Sequence, residues 1–343
     1  MNLIVIGTNH NYSPVEFRER VYFSKKGSRD SLDFLKERGI LKGAVILSTC
    51  NRVEIYASSD DEELAIEEIK NLISLYHEVE IDRFSSYLYI YKGIDAARHL
   101  FLVTCGLDSM IPGETQILEQ VKASLAESDS KDFLDSFLRL IFYSAISFAD
   151  NAHANIKIFR EDISIGTVAI DFIKEKLGAL SDKNVLIIGT GRVIELIVKH
   201  LKKETPNVTF IANRTFEKAK DLSIEIKAKA VRFDELKKFL NSADVIITAT
   251  RSPHFIIDKK MLGYMMNHKI LILDLAMPRD VDPEAKNIKG VELFYLEDLK
   301  GVIEKNTAGM ACEIGELKKI IQIEAEKSWK ELTELEPEPA LLL

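Results

Sequence analysis

One cysteine stands at the end of a short apolar run, within LSTCNRVEIY at residues 47–56. Its neighbours carry a hydroxyl, an amide and a guanidinium, and they are Thr49, Asn51 and Arg52. A cysteine buried for packing behaves as a small apolar residue, whereas a nearby guanidinium favours the thiolate, which is the nucleophilic form. Cys50 is therefore a candidate nucleophile, and a partly buried packing residue is the alternative.

A second segment of unusual polarity is RHLFLVTCGLDSMIPGETQILEQVKAS, residues 98–124. An apolar helical pattern leads into a loop rich in polar side chains and then into another helical pattern. His99 lies beside the apolar face. Its role is either that of an acid–base group or that of a hydrogen-bonded structural histidine. Glu114 and Gln116 are open to two interpretations in the same way: they are site residues, or first-turn helix residues favoured by the helix dipole.

The segment NVLIIGTGRVIE, residues 184–195, reads as a strand, a glycine turn and a helix. In a dinucleotide-binding turn the first glycine allows a tight bend, and the second lets the backbone approach a pyrophosphate at the helix N-terminus. Ile194 stands where a third glycine is usual, so the fingerprint is incomplete. The predicted cofactor-binding turn comprises Gly189, Thr190, Gly191, Arg192, Val193 and Ile194.

The choice between NAD and NADP is indicated about 20 residues further on, at the end of the second strand of such a unit. An NAD-binding unit carries Asp or Glu there, but this chain has Asn213, Arg214 and Thr215. A carboxylate would repel a 2′-phosphate, whereas a guanidinium attracts it and can bind it through two hydrogen bonds. The sequence therefore predicts NADPH as the cofactor, with a doubly wound domain that binds no nucleotide as the alternative.

A thiol nucleophile combined with NADPH indicates a class of reaction. The thiolate attacks an acyl group to form a thioester, and hydride transfer to that thioester releases an aldehyde. The residues alone therefore predict a thiol-assisted, NADP-dependent oxidoreductase.

The elements that must position Cys50 follow the order β-α-β-β-α-β, which is that of the ferredoxin-like unit. Within residues 52–58 apolar and polar residues alternate. This pattern predicts a half-buried strand with Glu54, Tyr56 and Ser58 on the face away from the core. The four predicted strands lie at residues 3–7, 44–48, 52–58 and 87–91.

From about residue 181 apolar strands alternate with helices, which is typical of a doubly wound parallel sheet. An amphipathic helix follows Asn306. The predicted fold class is α/β, with a ferredoxin-like α+β catalytic domain, a Rossmann-type NADP-binding domain and a long C-terminal helix. The predicted boundaries are 1–153 for the catalytic domain, 154–180 for a helical linker, 181–300 for the Rossmann domain and 305–343 for the C-terminal region.

The bulk composition is that of an ordinary globular protein, with 343 residues of which 46% are apolar. Three widely spaced cysteines, Cys50, Cys105 and Cys312, argue against a disulfide framework and for a reducing compartment. No cluster has metal-ligand spacing, and no signal-peptide or membrane-spanning pattern is present. We therefore expect a cytoplasmic protein without a metal or a membrane partner. The net charge of −8 gives no global attraction for nucleic acid, although a local basic patch would suffice to bind it.

With these residues in view, the sequence resembles the glutamyl-tRNA reductase family, which opens the five-carbon route to tetrapyrroles such as haem. The resemblance extends from residue 1 to about residue 335. It is carried by GTNHNYSPVEFRE (7–19), STCNRVEIY (48–56), RHLFLVTCGLDSMIPGETQILEQVK (98–122), GTGRVIE (189–195), ANRT (212–215), SADVIITAT (242–250) and DLAMPRDVDP (274–283).

The resemblance implies NADPH-dependent reduction of glutamyl-tRNA to glutamate-1-semialdehyde through a thioester on Cys50. It implies that Arg52 pairs with a carboxylate of the glutamyl group, and that His99 acts near the leaving ribose hydroxyl or the hydride-transfer step. It also implies that Arg214 and Thr215 contact the 2′-phosphate. Further implied substrate-binding residues are Thr49, Asn51, Ser109, Glu114, Thr115, Gln116 and Gln120.

The resemblance also bears on partners. Glutamyl-tRNA is the expected substrate, and the aminomutase that consumes the reactive semialdehyde is a candidate for direct hand-over. Family members continue into a helical dimerisation domain, whereas here one long helix, corresponding to the family's spinal helix, follows Asn306 and most of that domain is missing. A homodimer is therefore left open.

Two rival interpretations remain: another NADP-dependent dehydrogenase in which Cys50 is idle, and a catalytically silent relative that binds NADPH or tRNA. Ile194 and Arg251 depart from the family's pattern, which leaves their effect on cofactor binding open.

Overall fold

The computed structural model describes residues 1–156, 164–263 and 269–334. These residues form two compact units. The first unit contains residues 1–156 and 309–334, and the second contains residues 164–263 and 269–308.

The first unit is built on a four-stranded sheet in the order β2-β3-β1-β4, in which every neighbouring pair is antiparallel. This is the strand order of the predicted ferredoxin-like unit, which is confirmed. The strands are β1 (Asn2–Asn9), β2 (Gly43–Ser48), β3 (Arg52–Ser59) and β4 (Tyr89–Lys92). The helices are α1 (Val15–Arg20), α2 (Lys25–Arg38), α3 (Glu62–His77), α4 (Gly93–Thr104), α5 (Gln116–Ser130) and α6 (Ser136–Asn155).

Strand β3 is buried along its whole length, so the prediction of a half-buried strand at residues 52–58 is wrong. One face carries Val53 and Ile55 into a core shared with α2 and α3. The other face carries Glu54 and Tyr56, and it is covered by α4 and α6, where the Tyr56 ring packs against Phe142 at 5.3 Å. Alternation in sequence identified the two faces correctly but could not show that later helices cover the polar one.

The second unit contains a six-stranded sheet in the order β10-β9-β8-β5-β6-β7, and all its strand pairs are parallel. The predicted doubly wound Rossmann-type sheet is confirmed. The strands are β5 (Asn184–Ile188), β6 (Val208–Asn213), β7 (Lys229–Arg232), β8 (Val245–Thr248), β9 (Ile270–Asp274) and β10 (Val291–Tyr295). The helices are α7 (Ile165–Leu177), α8 (Arg192–Glu204), α9 (Phe216–Glu225), α10 (Leu236–Leu240), α11 (Lys259–Leu262) and α12 (Lys300–Thr307).

Helix α7 falls in the segment for which the sequence predicts a linker, and it packs inside the second unit against α8. The two helices approach closely at Gly166, where an added Cβ would lie 2.4 Å from the carbonyl oxygen of Leu196. Helix α12 also packs against α7. The second unit is therefore larger at both ends than the predicted range 181–300.

The predicted long C-terminal helix is confirmed as α13 (Ala311–Glu334) and belongs to the first unit. It packs against α4 and α6 through a buried stripe that includes Leu317, Ile321 and Ala325. Trp329 adds an edge-on contact with Phe137 at 5.7 Å. Within the described ranges, no helix has the length and apolar character needed to cross a membrane.

Candidate active site and cofactor turn

The turn between β2 and β3 holds the candidate nucleophile. The backbone N–H of Thr49 donates to the carbonyl of Arg52 at 2.8 Å, which closes the turn. The Thr49 hydroxyl accepts from the N–H groups of Asn51 at 3.2 Å and Arg52 at 3.1 Å. Cys50 lies inside this turn, partly buried and outside any disulfide. One threonine therefore sets the backbone on which the thiol is presented.

Arg52 joins this turn to the loop that follows α4. Its guanidinium is 1% exposed and pairs with Glu54 Oε1 at 2.7 Å and with Asp108 Oδ2 at 3.0 Å. It also donates to the Asp108 carbonyl. Burial would lower the pKa of Arg52, but the negative charge of Glu54 outweighs it and raises that pKa above its usual range. Arg52, predicted to bind a substrate carboxylate, is thus already paired with two protein carboxylates.

Glu54 is the centre of this buried network. Its carboxylate accepts from Arg52, from the hydroxyls of Tyr56 and Tyr89, and from His99 Nε2 at 2.9 Å. Burial opposes ionisation, yet the charges of Arg52 and His99 hold the pKa of Glu54 well below its usual range. A buried carboxylate is retained only when it is paired and hydrogen-bonded as fully as this one.

The structure thus brings two predicted site residues, Arg52 and His99, onto one carboxylate that the sequence did not single out. Glu54 carried a signal, since it is the one acidic residue within STCNRVEIY. Tyr89 and Asp108 gave no such sequence signal, because nothing in the residues around them shows that they contact β3.

The two ends of the loop between α4 and α5 approach each other closely, at Gly106 and Glu114. Gly106 has a positive φ of 75°, and an added Cβ would lie 2.5 Å from the Glu114 carbonyl oxygen. Helix α5 begins at Gln116, so Glu114 precedes it and is not a first-turn residue. Burial raises the pKa of the Glu114 carboxyl to about 7.

Two buried polar atoms near this region have no hydrogen-bond partner among the described residues: Asn51 Oδ1, an acceptor, and Gln116 Nε2, a donor. Leaving such atoms unpaired is costly, so both are suited to hydrogen-bond a ligand. Ser109 is partly buried, whereas Thr115 and Gln120 are exposed at the start of α5. The substrate-binding roles of these three residues stay predictions.

The glycine turn after β5 combines a close backbone approach at its first glycine with open space at its second. Gly189 has a φ of 113°, and an added Cβ would lie 2.6 Å from the Ala249 carbonyl oxygen. Gly191 caps α8, and a Cβ there would meet no atom within 4 Å, which leaves the helix N-terminus open. Ile194 points into the core with no exposed surface, so a bulky residue is accommodated where a third glycine is usual.

Arg214, at the end of β6, is restrained by its surroundings. It donates to the Ser252 hydroxyl at 3.1 Å and lies over the Phe233 ring at 5.9 Å. Asp280 accepts from the hydroxyls of Thr248, the last residue of β8, and of Thr250, just beyond it. Burial raises the pKa of Asp280, although these hydrogen bonds and the charge of Arg214 oppose that rise. The sequence did not identify the supporting residues Ser252, Phe233 and Asp280.

The remaining predicted cofactor residues lie beside these. Asn213 donates to the Thr215 carbonyl at 3.2 Å, which shapes the turn after β6. Arg192 is exposed and pairs with Glu195 at 3.1 Å, and Val193 is partly buried. Arg251 is exposed. In the part of the chain that the structure describes, no group of three or more His, Cys, Asp or Glu side chains is placed to hold a metal ion.

Comparisons with known proteins agree with the division of the chain into two units. The profile described as "Glutamyl-tRNAGlu reductase, N-terminal domain" matches residues 6–156, and that described as "Shikimate / quinate 5-dehydrogenase" matches residues 171–302. The second match identifies a domain for a nicotinamide cofactor.

Full-length similarity is also present. Glutamyl-tRNA reductases from Citrifermentans bemidjiense and Thermodesulfovibrio yellowstonii are each 36% identical over all of this chain, which covers 80% and 82% of their lengths. The solved glutamyl-tRNA reductase from Methanopyrus kandleri is 34% identical with a TM-score of 0.54, covering 97% of this chain and 81% of its own. The chain therefore belongs to the glutamyl-tRNA reductase family.

Proposed function

We propose that this protein reduces the glutamyl ester of glutamyl-tRNA to glutamate-1-semialdehyde with NADPH, the first step of tetrapyrrole biosynthesis. The observation that carries the proposal is the surroundings of the turn that bears Cys50. Arg52, two residues after Cys50, and His99 both hydrogen-bond the buried carboxylate of Glu54. The thiol is thus carried on a turn whose Arg52 shares a carboxylate with an imidazole, and a thiol nucleophile with an acid–base group is the combination that acyl transfer to cysteine uses.

The first step is attack of the Cys50 thiolate on the ester carbonyl. A C–S bond forms, the C–O bond to the ribose breaks, and the ribose oxygen takes up a proton. NADPH, when bound, would supply a hydride for reduction of the resulting thioester; the C–S bond would then break, giving the aldehyde and returning the Cys50 thiolate. The Thr49 hydroxyl supports the turn that carries the thiol, because it accepts hydrogen bonds from two N–H groups of that turn.

We assign to His99 the transfer of the proton to the leaving ribose oxygen. Its Nε2 donates to Glu54, which leaves Nδ1 as the ring nitrogen available to another group. The carboxylate on Nε2 fixes the orientation of the ring, so Nδ1 is the atom through which His99 can pass a proton to the leaving ribose oxygen.

The unpaired amide atoms suit the glutamyl group. Asn51 Oδ1 accepts hydrogen bonds and fits the α-ammonium, whereas Gln116 Nε2 donates and fits a carboxylate. Glu114 offers a second group for the ammonium, because an approaching cation favours its ionised form. A substrate carboxylate that binds Arg52 would compete with Asp108, which already pairs with it.

The preference for NADPH rests on Arg214, which Ser252 and Phe233 hold at the end of β6. Arg214→Gln should lower kcat/KM for NADPH at least about tenfold and leave that for NADH unchanged, because the charged hydrogen bonds to the 2′-phosphate are lost. Lys218→Gln, on the neighbouring helix α9, is the matched loss of one positive charge. An equal effect of Arg214→Gln on both cofactors would contradict the assignment.

The reaction itself is tested by single turnover. The protein is mixed with glutamyl-tRNA labelled in the glutamyl group, and NADPH is then added. Label should appear on the wild-type protein and leave as semialdehyde, whereas Cys50→Ser should take up none. Cys312→Ser, an exposed cysteine on α13, is the matched control and should behave as the wild type. A folded protein that binds NADPH but never becomes labelled would overturn the proposal.

The cytoplasmic location and hand-over of the semialdehyde to an aminomutase belong to the same proposal. Hand-over predicts that the aminomutase protects the semialdehyde from a trapping reagent such as hydroxylamine more than a bystander protein does.

A further inference from the structure

Three tyrosines form an aromatic cluster beside His99, and the mechanism leaves two of them unused. The Tyr12 and Tyr89 rings meet edge-on at 4.9 Å, and the Tyr89 and Tyr91 rings stack at 5.2 Å. The Tyr12 and Tyr91 hydroxyls lie 3.3 Å apart. The His99 ring lies 5.1 Å from Tyr89 and 5.0 Å from Tyr91. We call Tyr12, Tyr89 and Tyr91 the tyrosine cluster.

The members of the cluster differ in exposure. Tyr89 is 5% exposed, and its hydroxyl is bound to Glu54, so it belongs to the buried network. Tyr91 is partly buried. Tyr12 is 44% exposed and lies on the loop that follows β1. The cluster therefore extends from the buried carboxylate to an open aromatic surface.

The loop that carries Tyr12 is tied to the site from two sides. The N–H of His10 donates to the carbonyl of Asn51, next to Cys50, at 3.0 Å. Asn9 Nδ2 donates to Asp108 Oδ2 at 3.1 Å, on the carboxylate that pairs with Arg52. These bonds hold Tyr12 beside the turn that bears the nucleophile.

We propose that Tyr12, supported by Tyr91, stacks on the adenine of the 3′-terminal adenosine of the aminoacylated tRNA. The inference rests on the proposed function. In that substrate only the ribose separates the adenine from the ester that Cys50 attacks, so the base must lie close to the thiol and to His99. An exposed aromatic ring is the group that binds an unpaired base without reading its sequence.

The experiment uses an analogue that cannot react, 3′-deoxy-3′-glutamylamido-adenosine, and measures its Kd by calorimetry on the full chain. Tyr12→Ala should raise the Kd about tenfold, equivalent to ~1.4 kcal/mol, and Tyr12→Phe should bind as the wild type because the ring is kept. Glutamate α-amide, which lacks the nucleoside, should bind both variants and the wild type equally. Because no turnover is needed, this result is independent of whether the proposed reaction occurs.

Tyr76→Ala is the matched control. Tyr76 is 42% exposed and stacks on Phe23 at 5.3 Å, so its exposure and aromatic packing resemble those of Tyr12. It lies on α3, which packs on the opposite face of the sheet from Glu54. This variant should leave both Kd values unchanged.

Three results would overturn the inference. An unchanged Kd for the adenosine analogue in Tyr12→Ala would show that the ring does not contact the base. An equal loss for glutamate α-amide would show that Tyr12 only supports the glutamyl site. If Tyr12→Ala raised the Kd of NADPH and left the Kd of the adenosine analogue unchanged, the cluster would belong to the cofactor site. Failure of the wild type to turn over glutamyl-tRNA would contradict the proposed function instead.

Discussion

The candidate active site of the first unit and the glycine turn of the second are built by different means. In the first, Arg52, Glu54 and His99 form a buried network of charged side chains from different parts of the chain. In the second, the start of α8 is left open at Gly191, where an added Cβ would meet no atom within 4 Å. Removing one side chain of such a network leaves a buried charge unpaired. The glycine turn, in contrast, is disturbed when a side chain is added.

The largest effect is expected at the centre of the network. Glu54→Gln removes the charge that compensates buried Arg52, and breaking a buried pair costs about 3–5 kcal/mol. The free energy of unfolding from urea titration should fall by about that amount, with loss of acylation at Cys50. Glu63→Gln, which removes an exposed partner of Lys92, should change it by less than about 0.5 kcal/mol. If the two variants were equally stable, the network would not be what holds this site together.

The loop beside the network should be nearly as sensitive to an added methyl group. Gly106→Ala combines a left-handed backbone with a Cβ 2.5 Å from a carbonyl oxygen, so we expect a loss of about 2–3 kcal/mol. Gly39→Ala, with a φ of 68° and open space around its Cβ, should lose only about 1 kcal/mol. Thermal denaturation of both variants measures the difference, which isolates the close approach of Gly106 to the Glu114 backbone. Equal losses would mean that strain alone matters at Gly106.

The glycine turn should show the reverse pattern, with binding affected and stability spared. Gly191→Val adds atoms where the protein has none, so unfolding should change by less than about 0.5 kcal/mol. The KM for NADPH should rise about tenfold or more, because the side chain occupies the space of the pyrophosphate. Gly301→Ala, which lies in helix α12 and has open space around its Cβ, should leave the KM unchanged and raise the free energy of unfolding by no more than about 1 kcal/mol, because alanine favours the helix. A normal KM in Gly191→Val would remove the turn from the cofactor site.

The smallest effect is a dependence of stability on pH at Glu114. Its folded pKa of about 7 lies above the ordinary value of 4.5, so between these values the folded state holds a proton that the unfolded state has lost. This contribution to stability is complete below about pH 4.5 and is lost as pH rises through 7. Unfolding free energies between pH 5 and 8 should therefore fall more steeply in the wild type than in Glu114→Gln. Parallel curves would show that the carboxyl is not desolvated.

Predictability from sequence differed between the two regions for a physical reason. The glycine turn is a contiguous motif whose backbone demands are written in neighbouring residues, so Gly189 and Gly191 could be identified directly. Cys50 and Arg52 stood out for the same reason, since their chemistry lies in adjacent residues. Glu54 was assigned to the face away from the core, because the helices that bury it come from residues 93–155.

Local chemistry was therefore determined by the sequence itself: the thiol turn, the glycine turn, the basic residue after β6, and through them the family. The tertiary structure decided which charges are paired. It placed His99 and Arg52 on one carboxylate, moved Glu114 out of the helix that its position suggests, and set Tyr12 beside the site. The physical reason is desolvation: whether a polar side chain is a solvated surface group or part of a buried network depends on elements that pack over it from elsewhere in the chain.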